Sequence, residues 1–158
     1  KGAALGGVFG LTSFINNTFN PTVTSFVFTP FYSLGTYSGG IGSIIICFLP
    51  RILIGVVPFY VYHFIKKLQK NDGVSSLGLI MAGLSGALTN TLLVMNLIYV
   101  FFQNSYAQAN GVAPEAVYGF IMGIIGMNGI PEAIVAAVIT LVIGKTLMRK
   151  GVMERLGV

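Results

Sequence analysis

Arg51 and Glu132 are the two charged side chains set within the long apolar runs of this sequence, away from the basic clusters at their ends. Charges in hydrocarbon are costly and normally face a bundle interior or a watery cavity, so each marks a place where polar contacts must be arranged. The planar fork of Arg51 suits a ligand carboxylate, and it also suits an ion pair with Glu132 across a bundle. Glu132 directly follows Pro131, where the helix dipole favours a carboxylate with or without a ligand. Carboxamides accompany these charges: Asn16 and Asn17, Asn90 and Asn96, and Asn128. They can hydrogen-bond a ligand or hold one helix to another. Thr89, Asn96 and Gln103 recur every seven residues, which keeps them near one helical face. The chemistry on offer is recognition, because Glu132 has no histidine or metal partner with which to run acid–base catalysis.

The segment 20–43 adds Phe28 and Tyr32, together with Phe26, Phe31 and Tyr37, among Gly35, Gly39, Gly40 and Gly42. Aromatics spaced by glycines suit a lid over a small ligand, whose pocket combines apolar walls with a few placed polar groups. They equally suit an aromatic belt at a membrane interface. His63, beside Lys66, reads as an interfacial residue. Gly144-Lys145-Thr146 has the ending of a phosphate-binding loop, but Ile139 stands where the first glycine is needed and an apolar helix precedes it, so nucleotide binding is not expected. No metal-ligand cluster or Ser/His/Asp constellation is present, and no cofactor is expected.

The elements that must position these residues are membrane helices. Of the 158 residues 54% are hydrophobic and only 8% charged. A soluble domain carries about 25% charged residues, so lipid must be the solvent for most of this surface. The net charge of +5 lies in short clusters between apolar runs, Lys66/Lys67/Lys70 and Lys145/Arg149/Lys150/Arg155, which is the pattern of topology anchors and not of a nucleic-acid stripe. The lone Cys47 permits no intrachain disulfide and reads as a packing residue.

The predicted fold class is all-α, a polytopic transmembrane bundle forming one domain. Spans of about 20 apolar residues are expected at 2–19, 43–65, 77–102 and 131–150. An outer loop covers 20–42, and a second outer loop, 103–130, holds a short helix from Pro114 to Met127 before a new helix starts near Pro131. A single kinked helix is the competing reading of that region. Except for Arg51, every Lys and Arg lies at Lys1, in the 66–70 connection or at the C-terminal end, which places those ends in the cytoplasm. Gly2/Gly6/Gly10 and Gly78/Ala82/Gly86 are small-residue stripes that let backbones approach, so the cytoplasmic half should be tight and the polar cluster should form an outward-facing chamber.

The runs Phe48-Leu49-Pro50-Arg51-Ile52-Leu53-Ile54-Gly55 and Asn128-Gly129-Ile130-Pro131-Glu132-Ala133-Ile134-Val135, and the Phe-Gly-Leu-Thr-Ser-Phe core of Gly6 to Asn17, resemble the substrate-binding (S) components of energy-coupling factor vitamin transporters, most of all the pantothenate-specific group. The resemblance implies six helices in the complete protein. With the abrupt apolar start at Lys1, it leads us to expect two more helices upstream. It also implies capture of a water-soluble vitamin on the extracellular side and partnership with a transmembrane coupling subunit and two cytoplasmic ATPases, in a bacterial plasma membrane. The S component is thought to topple within the membrane to release its ligand inside. Pantothenate would need a cation for its carboxylate, hydrogen-bonding groups for its hydroxyls and amide, and an apolar wall for its gem-dimethyl group. Asn16, Asn17, Phe28, Tyr32, Arg51, Asn90, Asn96, Asn128 and Glu132 are the candidates to supply these. Riboflavin, folate, cobalamin or hydroxymethylpyrimidine would fit the same role. The alternative of another class is an assembly subunit whose polar residues only join helices.

Overall fold

The computed structural model describes residues 1–69 and 73–148 of the chain; Lys70, Arg149, Lys150 and Arg155 of the predicted anchors lie outside them. The helices are α1 (Gly2–Phe19), α2 (Ile41–Ile54), α3 (Val57–Gln69), α4 (Ser76–Ala109), α5 (Val117–Ile124) and α6 (Ile130–Leu147), with a two-residue hairpin of β1 (Ser33–Leu34) and β2 (Tyr37–Ser38) between α1 and α2. The expected all-α bundle is therefore present. Among the described residues, three helical runs are long and apolar enough to cross a bilayer: Ile41–Gln69, Ser76–Ala109 and Pro114–Leu147. The remaining predicted span, α1, has 18 residues, about 27 Å at 1.5 Å per residue.

The run expected at 43–65 breaks at Gly55 and Val56, because Pro58 has no N–H with which to continue the ladder from α2. The competing reading of the last region is the one observed: the chain stays helical from Pro114 to Leu147. A π turn at Ile125–Gly129 carries the helix up to Pro131, accommodating the missing proline donor without ending the helix. Helix α4 likewise outruns its expected end and bends at Phe102 (φ −134°, ψ 22°), whose ring packs edge-on against Phe26 at 5.8 Å. Ser75 starts α4 by accepting from the Gly78 N–H at 2.8 Å.

Helix α4 is the central post, packed against α2, α3 and α6, while α1 lies along α2. The glycine stripes make these contacts possible. A Cβ on Gly6 would collide with the Arg51 carbonyl, and Gly2 and Gly55 meet backbone to backbone. On α4, Gly78 faces Tyr62 and Gly86 faces Pro58 of α3, whereas Gly83 receives the Ala136–Ala137 backbone of α6. The α1 stripe is expected to lie away from the polar cluster; instead Gly6 sits at the level of Arg51, since α1 begins beside Gly55 and not beside Lys66. The main apolar core joins Phe26 and Val27 to Ile46, Val94, Ile98, Tyr106, Val117 and Ile121, at the end of the bundle that the 20–40 segment covers.

Candidate functional site

Pro50 lies inside α2, so the Ile46 carbonyl four residues earlier loses its usual helical donor. Arg51 supplies a substitute: its Nη1 donates to Ile46 O at 3.0 Å. The side chain runs back toward the start of α2, as helical side chains do, and lays its guanidinium 5.2 Å from the centre of the Phe28 ring. That separation is a cation–π distance. Arg51 is 9% exposed, and its Nε–H is buried without any acceptor.

Asn90 of α4 carries the matching deficiency. Its Oδ1 is buried with no donor. Arg51 Nε and Asn90 Oδ1 are the unpartnered buried side-chain atoms among the described residues. Gly86 meets Pro58 and Ile54, and Gly129 meets Thr91, so the next turn of α4 brings Asn90 and Thr91 to about the level of Arg51 and of the start of α6. There the Thr91 hydroxyl makes a long bond, 3.4 Å, to the Glu132 carboxylate. Glu132 is exposed and bonds to Thr91, whereas the buried Arg51 bonds to Ile46.

The segment after α1 is held down firmly. Ser25, Phe26, Val27 and Thr29 are fully buried. Ser25 Oγ donates to Asn17 Oδ1 at 2.8 Å, the Thr18 and Thr29 hydroxyls share a 2.8 Å bond, and Ser43 Oγ donates to Phe26 O at 2.7 Å while accepting from the Gly40 N–H. Gly39 presses on the carbonyls of Phe26 and Thr29, where a side chain would not fit. Residues 25–29 therefore form a plug above Arg51 that presents Phe28 to it. The hairpin beyond is more open, with Phe31 76% exposed.

The predicted site residues separate into groups. Arg51 lies against Phe28, Asn90 has a buried Oδ1 on α4 beside Thr91, Glu132 is exposed on α6 and bonded to Thr91, and Tyr32 is half-buried against the main core. Asn17 has both carboxamide ends engaged, by Ser25 and by the Ser13 carbonyl, so it rivets the plug to α1. Asn16 is exposed and pairs with Asn20. Asn96 is exposed and donates to Leu92 O of its own helix, and Gln103 donates to Pro114 O, joining α4 to the start of the next helix. Asn128 is exposed in the π turn. His63 bonds the Phe59 carbonyl in its own helix and lies tilted against the Phe59 ring, 4.1 Å between centroids. Sequence reasoning missed Ser25, Thr29, Ser43 and Thr91, small hydroxyl residues that fit in apolar surroundings and so give no polar signal in the sequence. Among the described residues no group of His, Cys, Asp or Glu could hold a metal.

Residues 1–144 match the family model for the substrate-specific component of ECF transporters. The chain is 37% identical over 142 residues to the pantothenic acid transporter PanT of Lactococcus lactis subsp. cremoris, covering 89% of this chain and 64% of that protein. It is 29% identical over 164 residues to the pantothenate transporter PanT of Leuconostoc mesenteroides, covering 100% of this chain and 70% of that protein. No solved structure gives a significant match. Helices long and apolar enough to cross a bilayer, and a family match spanning nearly the whole sequence, lead to one conclusion: the chain belongs to the substrate-specific components of ECF transporters, multi-pass proteins of the cell membrane.

Proposed function

We propose that this chain is the part of an ECF importer that captures pantothenate on the extracellular side, and that it does no chemistry on the ligand. The observation that carries the reading is the pair of orphaned atoms, Arg51 Nε and Asn90 Oδ1. Leaving a buried donor or acceptor unmade costs about 1–3 kcal/mol, more for a charged group, so such atoms persist where something else completes them. A ligand bearing an anionic acceptor and an O–H or N–H donor would satisfy both, and pantothenate has a carboxylate, hydroxyls and an amide. Phe28 and the plug would supply the apolar wall for its gem-dimethyl group. Glu132 and Thr91 would accept from or donate to its hydroxyls. Import would be driven by ATP hydrolysis on two cytoplasmic partner subunits, linked to this chain through a transmembrane coupling subunit. The relatives named as pantothenate transporters support the choice of vitamin. Equilibrium binding of radiolabelled pantothenate to the purified, complete protein tests it. Saturable binding competed by unlabelled pantothenate, and not by riboflavin or folate, is the expected result; no saturable binding of any water-soluble vitamin would favour an assembly role.

A further inference from the structure

We infer that Pro50 is a positioning residue for the Arg51 guanidinium, acting by keeping the Ile46 carbonyl free to hold it; this rests on the reading of Arg51 as the carboxylate-binding group. In an uninterrupted helix the N–H of residue 50 would donate to Ile46 O. Proline cannot donate, and a proline in a helix interior costs roughly 3 kcal/mol, so its presence there calls for a compensating use. The geometry provides one. Ile46 is fully buried, so water cannot reach its carbonyl, and Arg51 Nη1 occupies it at 3.0 Å. Phe28 fixes the other coordinate of the guanidinium, 5.2 Å from its ring centre. With Nη1 so engaged, Nε remains buried and unpaired. A carboxylate approaching that edge would meet a donor already held in place, and less rotamer entropy would remain to be lost on binding.

The test restores the missing donor. Pro50→Val places an N–H opposite Ile46 O with a side chain of similar bulk, and Pro50→Ala does the same with a smaller one. Either amide would compete with Arg51 for the carbonyl. The probes are pantothenate and pantothenol, its neutral alcohol, titrated against the complete protein in detergent, with thermal melting to verify the fold. Both variants are expected to weaken pantothenate binding about 10-fold or more, the equivalent of one hydrogen bond to a charged group, and to leave pantothenol binding within roughly 3-fold. Introducing valine at position 50 through an ester linkage, which keeps the side chain and removes the N–H, should recover pantothenate affinity. Equal loss for both probes, no loss for pantothenate, or failure of the ester to rescue would overturn the role given to Pro50. If Arg51→Ala weakens both probes alike, the underlying carboxylate assignment fails instead. Selectivity lost in Arg51→Ala but kept in Pro50→Val and Pro50→Ala would refute the positioning role alone.

Discussion

Arg51 Nη1 donates at 3.0 Å to the carbonyl of Ile46, the helical acceptor that Pro50 leaves empty. A guanidinium is thus tied inside an apolar bundle by one of its own helix's carbonyls, with its Nε side unmet.

Replacing Arg51 by alanine should cost pantothenate affinity about 10- to 100-fold, as expected for removal of charge-assisted hydrogen bonds. Isothermal titration is the check. Unchanged affinity would remove the carboxylate assignment, and loss of the folded bundle would give Arg51 a structural role.

Asn90→Leu separates a binding role from a packing role. The orphaned Oδ1 makes no hydrogen bond in the unliganded fold, so removing it should leave the melting temperature equal or raise stability by about 1 kcal/mol. Pantothenate affinity should fall at the same time. A strongly destabilised variant would mean that Asn90 joins helices.

The α1–α2 contact depends on Gly6 and not on its neighbour. Gly6→Ala would drive a methyl into the Arg51 carbonyl and should cost about 1–3 kcal/mol. Gly7 has nothing within 4 Å of an added Cβ, so Gly7→Ala should be neutral or should stabilise by up to about 1 kcal/mol through helix propensity. The melting temperature should fall for Gly6→Ala and hold or rise for Gly7→Ala; a parallel fall would contradict this packing.

Ser43→Ala would strip the Phe26 carbonyl and the Gly40 N–H of their shared partner. A cost of about 1–3 kcal/mol is expected, concentrated in the plug. Hydrogen exchange should rise in residues 25–29 while α4 stays protected. Uniform acceleration across the chain would instead indicate that the plug and the bundle open as one unit.

Much of this architecture could be read from residue order. Low charge and long apolar runs determine a membrane bundle, because nothing else could solvate such a surface. The glycine stripe at 2, 6 and 10 specifies a close helix contact, and the adjacency of Pro50 and Arg51 in an apolar run marks the candidate site. Tertiary structure decided which polar side chains enter it. Asn90 and Asn96 read alike in sequence, but six residues at about 100° each turn them roughly 240° apart on the helix. One therefore faces the bundle while the other is exposed. A helix in lipid is apolar on every side, so its sequence carries little contrast to set its rotation; packing against α2 and α6 sets it for α4. The same holds for the 20–40 segment, whose glycines and aromatics allow either a lid or an interfacial belt. Only the bonds of Ser25, Thr29 and Ser43 to neighbouring elements and to the segment's own backbone make it a buried plug.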